Sequence, residues 1–142
     1  MAGRRVVIIG ATGFFGPHVA RAFVSAGDEV TAIVRPGRSH SPSVAAAMAQ
    51  IRAAAGADCL IEADILDGVS RLGAHDVLVN LAAYGVAPDA RDEELAHRVN
   101  TALPEALVEA AKSAGALFLH AGTSAEYAPF GGRRALRESD PL

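Results

Sequence analysis

The sequence predicts an α/β fold, in which helices cover both faces of a doubly wound parallel sheet. Short β-branched runs alternate with segments of helical periodicity, a glycine-rich turn follows the first run, and 51% of the 142 residues are hydrophobic. Strands that alternate with helices are joined by right-handed crossovers, which make them parallel. We therefore expect the strand order 3-2-1-4-5, with a ligand crevice between the first and fourth strands.

The first predicted strand is the apolar run Val6–Ile9, which lies between a charged residue and a glycine. A helix is predicted next, over Phe15–Ala26, and Gly27 stands where a glycine commonly ends a helix. The helical spacing predicts a buried face that comprises Phe15, Val19, Ala22, Phe23 and Ala26.

The following elements alternate in the same way. Glu29–Val34 is the second predicted strand, and Arg35–Ser43, rich in Pro, Gly and Ser, is predicted to be a loop. An alanine-rich helix is expected over Val44–Ala55 and the third strand over Cys59–Ala63. Cys59, the only cysteine, lies in an apolar run, so we expect a core residue rather than a nucleophile. A single thiol also fits a reducing, cytoplasmic setting.

The second half of the chain supplies the rest of the predicted sheet. A short turn is expected over Gly68–Leu72, the fourth strand over Asp76–Ala83, a long helix over Asp92–Ala114 and the fifth strand over Ala116–Gly122. Pro104 lies inside the long helix and lacks the N–H of an interior helical bond, so we expect a local irregularity there. The apolar stripe of this helix either covers the sheet, which we favour, or contributes to a homodimer interface; it comprises Leu95, Val99, Leu103 and Leu107.

Charge and composition narrow the classes of partner. The formal net charge is −3 and no basic stripe is present, which argues against nucleic acid. No apolar run approaches the roughly 20 residues needed to cross a bilayer. The sequence suggests no metal site, and we expect a small-molecule substrate.

The segment VVIIGATGFFGPH, Val6–His18, contains three evenly spaced glycines, Gly10, Gly13 and Gly16. Gly10 can adopt the unusual backbone angles of a sharp turn. Gly13 lets a phosphate approach the backbone, and Gly16 lets the helix pack closely on the sheet. The N–H groups and partial positive charge at a helix start attract a diphosphate, and Thr12 adds a hydroxyl donor. A tight turn without a ligand is the alternative, but the position between a strand and a helix favours a dinucleotide site.

The spacing Gly-x-x-Gly-x-x-Gly in GATGFFG resembles the short-chain dehydrogenase/reductase superfamily, which has a Rossmann-type fold. It is most similar to the NAD-dependent epimerase/dehydratase family within the extended and atypical branches. Four later stretches also resemble this family: ADILD at 63–67, NLAA at 80–83, VNTALPEALVEAA at 99–111 and FLHAGTSAEY at 118–127. The resemblance therefore covers nearly the whole chain.

The resemblance implies roles for individual residues. Asp64 would contact the adenine, and Ile65 would line the adenine pocket. Thr123 stands in the place of the family's catalytic Ser or Thr and would polarise a substrate carbonyl or hydroxyl. The other cofactor-binding residues that the resemblance implies are Gly10, Thr12, Gly13, Phe14, Phe15, Gly16, Leu81, Ala82, Ala83 and Asn100.

Each of these residues also has a simpler interpretation. Asp64 could cap the turn that follows it, Asn100 could bond a neighbouring loop, and Thr123 could be an ordinary loop hydroxyl. Tyr84 is expected to pack or to line a pocket. His120 lies in a predicted strand, so we expect a packed or hydrogen-bonded side chain rather than a base.

The residue at the end of the second strand indicates whether the cofactor is NAD or NADP. NAD-binding relatives usually carry an acidic residue there. This chain has Arg35 there. A guanidinium cannot accept a hydrogen bond from a ribose hydroxyl, but it can bind a phosphate. Arg35, with Arg38 nearby, therefore favours NADP over NAD, and NAD stays open. In the alternative, Arg35 stacks on the adenine or points to solvent.

The family's chemistry needs a Tyr-x-x-x-Lys pair on one helix face, and this sequence has none. Tyr84 and Tyr127 are followed four residues later by Pro88 and Gly131, and Lys112 is the only lysine. The final stretch RESDPL resembles the segment that precedes that helix in relatives. We therefore expect residues 1–142 to be the N-terminal cofactor-binding part of a longer enzyme, without its substrate domain.

Two functions follow from the sequence. The first is an NAD(P)-dependent epimerase, dehydratase or reductase, acting on a nucleotide sugar or a related hydroxyl or ketone substrate, of which this stretch alone would be inactive. The second is a non-catalytic module that binds or senses NAD(P).

Overall fold

A computed structural model describes residues 3–37, 40–64, 69, 72–85, 91–123 and 137–140 of the chain. Five parallel strands form one sheet in the order β3-β2-β1-β4-β5, which confirms the predicted fold and strand order. The strands are β1 (Arg5–Ile9), β2 (Glu29–Val34), β3 (Leu60–Glu62), β4 (Val77–Asn80) and β5 (Leu117–His120). The helices are α1 (Gly16–Ser25), α2 (Pro42–Ala55), α3 (Glu93–His97) and α4 (Leu103–Ala114), and a 3₁₀ turn (Ala57–Cys59) precedes β3.

Both faces of the sheet are covered along its central strands, where side chains alternate between two apolar clusters. At the β5 edge, Leu117 and Leu119 are 55% and 41% exposed. In β1, Val6 and Ile8 pack with Ala20 of α1 and Ile51 of α2. The other two β1 side chains face the opposite way and pack with α4; this second cluster includes Val7, Ile9, Leu78, Leu103, Leu107 and Ala111. The uninterrupted apolar run of β1 is therefore explained by burial on two sides.

Helix α1 presents a different face to the sheet from the one that periodicity predicts. Its buried residues are Gly16, Pro17 and Ala20, whereas Phe15 is 63% exposed. A Cβ at Gly16 would overlap the carbonyl oxygen of Ala11, so the start of the helix packs directly on the backbone of the glycine turn. That contact sets the rotation of the helix about its axis, and the predicted contributions of Phe15, Ala22 and Ala26 to the buried face were wrong.

A π-helical turn, Arg98–Ala102, joins α3 to α4 and supplies the irregularity predicted near Pro104. Leu103 donates its N–H to the carbonyl oxygen of Arg98, five residues earlier. Pro104 has no N–H for the carbonyl of Asn100, so a regular α-helical bond is impossible there. The apolar stripe covers the sheet: Val99, Leu103 and Leu107 are buried, so these three side chains are not available for a homodimer interface.

Two ion pairs tie the amino end of β1 to its neighbours. Arg4 donates to Asp28 at 2.6 Å, just before β2, and Arg5 donates to Asp76 at 2.8 Å, just before β4. Hydrogen bonds from these arginines lower the pKa of both carboxyl groups below the usual range. These pairs lie at the edge of the sheet opposite the carboxyl ends of the strands.

Cys59 is buried and unpaired, as predicted, and burial raises the pKa of its thiol.

Within the described ranges, no helix has both the length and the apolar character to cross a membrane.

Candidate functional site

The glycine turn after β1 is shaped by a close approach of two backbones. Gly10 has a φ of +76°, which L-residues with a side chain rarely adopt. A Cβ at Gly10 would also come within 2.5 Å of the backbone nitrogen of Ala82, in the segment that leaves β4. The ends of β1 and β4 therefore meet at this glycine, at the predicted switch in strand order.

The start of α1 offers backbone donors to an anion. The N–H groups of Gly13 and Gly16 are used inside the turn, bonding Gly10 at 3.0 Å and Gly13 at 3.2 Å. Among the described residues, no protein acceptor binds the N–H groups of Thr12, Phe14 and Phe15. The first turn of α1 contains no acidic residue to compete for this position. Unused donors and the partial positive charge of the helix fit an anionic group such as a diphosphate.

A cavity of about 250 Å³ opens beside this turn, across the carboxyl ends of β1, β2 and β4. It brings together many of the predicted cofactor-binding residues: Gly10, Thr12, Gly13, Arg35, Leu81, Ala82 and Ala83. Its apolar wall was not predicted as a site; it comprises Ile9, Ile33, Val44, Ala63 and Val99. In the sequence nothing marks these five residues as a site; Val99, for example, lies between Arg98 and Asn100. Only the packing of separate elements brings them together.

A second cavity, of about 410 Å³, adjoins the first and shares Ala82, Ala83 and Tyr84 with it. It extends to the end of β5, where Thr123 and His120 contribute to its lining. The two cavities therefore form a crevice that runs from the β2 side of the glycine turn to the β5 side. Asn100, which the resemblance assigned to the cofactor site, lines this second part.

Asn100 fixes the loop after β4 by two reciprocal hydrogen bonds. Its Oδ1 accepts from the N–H of Tyr84 at 2.9 Å, and its Nδ2 donates to the carbonyl oxygen of Tyr84 at 3.0 Å. The Tyr84 hydroxyl in turn accepts from the N–H of Asp92, whose side chain caps α3. Asn100 thus does what the simpler interpretation expected, and the loop that it holds is shared by both cavities.

The β2 side of the crevice is charged. Arg35 directly follows β2, is exposed and lines the first cavity. Asp64 follows β3 next to the cavity wall, with its carboxylate 3.6 Å from the guanidinium of Arg98. Sequence reasoning missed Arg98, because no motif marks it. Arg38 and Ile65 lie outside the described residues.

Phe14 and Phe15, which were also predicted to bind the cofactor, are adjacent aromatic residues at the start of α1. Their rings pack edge to face, 5.2 Å apart, and are 83% and 63% exposed. Neither ring lines the two cavities. Any contribution of these residues to cofactor binding therefore rests on their backbone N–H groups, which bond no described acceptor.

A hydrogen bond between a buried amide and an exposed imidazole joins the ends of β4 and β5. Asn80 is fully buried, and its Nδ2 lies 3.1 Å from Nδ1 of His120. Its Oδ1 accepts from the N–H of Ala82 at 3.1 Å. His120 is thus hydrogen-bonded, as expected, while Asn80 was missed; its one signal is a polar residue in the otherwise apolar run of β4.

Solved structures with the same fold include several sugar-nucleotide enzymes. A UDP-Glc/GlcNAc 4-epimerase from Campylobacter jejuni superposes with a TM-score of 0.80 at 24% identity, covering 99% of this chain and 43% of that one. A UDP-glucose-4-epimerase from Stenotrophomonas maltophila, with bound NAD and formylated UDP-arabinopyranose, gives 0.77 at 20% identity, with coverage of 98% and 43%. AtPrR2, with NADP+ and (+)pinoresinol, gives 0.59 at 24% identity, with coverage of 83% and 36%.

These likenesses show the fold alone, and this chain spans less than half the length of those proteins. A comparison with curated protein sequences gives no significant match. The family model of the NAD-dependent epimerase/dehydratase family matches residues 6–142, nearly the entire sequence. The chain therefore belongs to the NAD-dependent epimerase/dehydratase family.

Proposed function

We propose that this chain is the cofactor-binding part of an NAD(P)-dependent epimerase, dehydratase or reductase. The observation that carries the proposal is the glycine turn: Gly10, Thr12 and Gly13 border a crevice that has two compartments, and the N–H groups of Thr12, Phe14 and Phe15 bond no described acceptor. A dinucleotide has the same layout, with an anionic diphosphate between two nucleoside halves. Family membership and the relatives solved with NAD or NADP+ support the assignment.

Specific residues would hold each part of the cofactor. The diphosphate would accept hydrogen bonds from the N–H groups of Thr12, Phe14 and Phe15, and from the Thr12 hydroxyl. Gly10, Gly13 and Gly16 would leave the backbone accessible at this position. The adenine would lie against the apolar wall of the first cavity, near Asp64, and the segment Leu81–Ala83 would run beside the cofactor.

The bound cofactor supplies hydride transfer to or from a substrate carbon. Thr123 lies in the second cavity, where its hydroxyl would bind and orient a substrate oxygen. A Tyr-x-x-x-Lys pair for proton transfer does not occur in these 142 residues. We therefore propose that the pair, and a domain that binds a nucleotide sugar or a related hydroxyl or ketone substrate, belong to further polypeptide.

We further propose that the cofactor is NADP, because Arg35 is exposed at the mouth of the first cavity. A guanidinium there would neutralise a ribose phosphate. The structure solved with NADP+ has the same fold with a lower TM-score, 0.59 against 0.77 for the structure solved with NAD. The latter leaves NAD open as the cofactor.

Calorimetric titration of the purified chain with NADPH and NADH tests the proposal. We expect saturable binding of at least one dinucleotide, with NADPH binding more tightly. No binding of either dinucleotide to a folded sample would refute both the cofactor assignment and the enzymatic function.

A second function, a non-catalytic module that binds or senses NAD(P), is favoured by one observation, the missing Tyr-x-x-x-Lys pair. The two proposals differ in what the reading frame encodes after Leu142. A Tyr-x-x-x-Lys pair within the next few dozen codons, with hydride transfer by the longer protein, supports the enzyme. A stop codon together with tight dinucleotide binding supports the module.

A further inference from the structure

His120 and Asn80 are register partners at the carboxyl ends of β5 and β4, so their side chains leave the sheet on the same face. The His120 ring lies almost parallel to the Phe118 ring, with 6.1 Å between centroids and 10° between planes. A buried amide on one side and an aromatic ring on another hold this imidazole in one orientation, although His120 itself is exposed.

The hydrogen bonds of Asn80 determine where the imidazole carries its proton. The N–H of Ala82 can only donate, so the Asn80 atom that it bonds is Oδ1. The Asn80 atom that faces His120 is then Nδ2, which also can only donate. Nδ1 of His120 must therefore accept, and the neutral ring carries its proton on Nε2. The two ring nitrogens point in divergent directions, so Nε2–H points away from Asn80.

We propose that Nε2–H of His120 binds the nicotinamide riboside half of the dinucleotide, an inference that rests on the proposed function. The glycine turn, where the diphosphate would bind, lines the first cavity, which joins the second at Ala82, Ala83 and Tyr84. The first cavity has Arg35 and the apolar wall, which fit an adenosine with a phosphorylated ribose. The nicotinamide riboside is thereby left for the second cavity, which His120 lines together with Thr123.

The chemistry of the two partners is complementary. Nicotinamide riboside presents oxygen acceptors, namely the carboxamide carbonyl and the ribose hydroxyls. His120 presents one neutral donor whose direction is already fixed by Asn80 and Phe118, so little side-chain freedom is lost when the ligand binds. A hydrogen bond of this kind contributes about five- to tenfold in affinity.

Two substitutions at position 120 distinguish the roles of the two ring nitrogens. In His120→Asn, the amide oxygen lies near the position of Nδ1 and can still accept from Asn80, but the distal donor is lost. In His120→Gln, the amide nitrogen reaches the position of Nε2, while the acceptor for Asn80 is lost. We expect His120→Asn to keep the melting temperature close to wild type and to bind NADP+ about five- to tenfold more weakly. We expect His120→Gln to melt lower and to retain more of the NADP+ affinity.

Three probes locate the contact: NADP+, 2′-phospho-ADP-ribose without nicotinamide, and adenosine 2′,5′-bisphosphate with neither the second ribose nor nicotinamide. If His120→Asn lowers the affinity for NADP+ alone, His120 contacts the carboxamide. If it lowers the affinity for NADP+ and for 2′-phospho-ADP-ribose, His120 contacts the ribose. An equal loss of affinity for all three probes, or an unchanged affinity for all three, overturns the proposal. Nitrogen-15 NMR of the free protein should find the proton on Nε2, and a proton on Nδ1 alone would also overturn it. If wild type binds none of the probes, the cofactor assignment itself fails.

Discussion

Gly10 and Ala82 lie so close that a Cβ on Gly10 would stand 2.5 Å from the Ala82 backbone nitrogen. The glycine turn and the segment after β4 are therefore fitted to each other, independently of any ligand. This contact brings the glycine turn, which we propose binds the diphosphate, next to the segment shared by both cavities.

Gly10→Ala should destabilise the fold by more than its backbone angle alone would require. The positive φ costs an L-residue about 1–2 kcal/mol, and the overlap with Ala82 adds to that cost. Gly27→Ala is the matched control, because Gly27 has a φ of +88° but no atom within 4 Å of the added Cβ. Urea denaturation should give a larger loss in the free energy of unfolding for Gly10→Ala. If both variants lose the same free energy of unfolding, the close approach to Ala82 does not contribute to the cost of the substitution.

Gly13→Val should reduce dinucleotide binding while leaving the fold largely intact. Gly13 is exposed, lines the first cavity and has no positive φ, and an added Cβ would meet only the Gly10 carbonyl oxygen, at 3.3 Å. The new branched side chain would occupy space next to the unused N–H groups, so calorimetry should find binding of NADPH weakened by about tenfold or more.

Ala22→Val on the exposed face of α1 is the control for Gly13→Val, since it adds the same kind of bulk away from the crevice. It should bind NADPH as wild type does. Unchanged binding by a folded Gly13→Val protein would place the diphosphate elsewhere.

Arg35→Ala should weaken NADPH binding and leave NADH binding nearly unchanged. A hydrogen-bonded guanidinium–phosphate pair contributes about 1.5–3 kcal/mol, which corresponds to roughly 10- to 150-fold in affinity. Arg21→Ala, at an exposed position on α1, is the control for a general loss of positive charge. Parallel losses for NADPH and NADH would instead favour stacking of Arg35 on the adenine.

The ion pair between Arg5 and Asp76 should make stability depend on pH in acid. Its hydrogen bonds lower the pKa of Asp76 in the folded state, so the contribution is complete above the unfolded value of about 3.9 and is lost as pH falls through the lower folded value. The difference in unfolding free energy between wild type and Asp76→Asn should therefore be constant near pH 6 and shrink below about pH 4.

The same comparison in an Arg5→Met background isolates the cause. Without the guanidinium, the acid-dependent part of the difference should shrink, because the guanidinium hydrogen bonds are the largest cause of the lowered pKa of Asp76. A smaller part should remain, because the backbone N–H at position 5 still donates to the Asp76 carboxylate. Denaturant melts at several pH values measure both series. A difference that keeps its full pH dependence in the Arg5→Met background would show that the Arg5 side chain is not the cause.

The parts of the fold that depend on local signals were predictable. β2 has the predicted bounds, Glu29–Val34, since a short β-branched run between turn residues forms a strand in most contexts. The irregularity near Pro104 was also predictable, because it follows from a missing N–H in a single residue. The rotation of α1 was not, since periodicity does not reveal that Gly16 packs on the backbone of Ala11 in the glycine turn.

The sequence by itself determined the strand order, the glycine turn and about half of the residues that line the crevice, because these depend on the alternation of strands and helices and on the backbone freedom of particular glycines. Only the tertiary structure decided the apolar wall of the first cavity, the contact of Arg98 with Asp64 and the proton position on His120. Those features join residues that are distant in sequence; Asn80 and His120, for example, are 40 positions apart. The physical reason is that a hydrogen bond between distant residues depends on strand register and side-chain direction, which exist only once the sheet has formed.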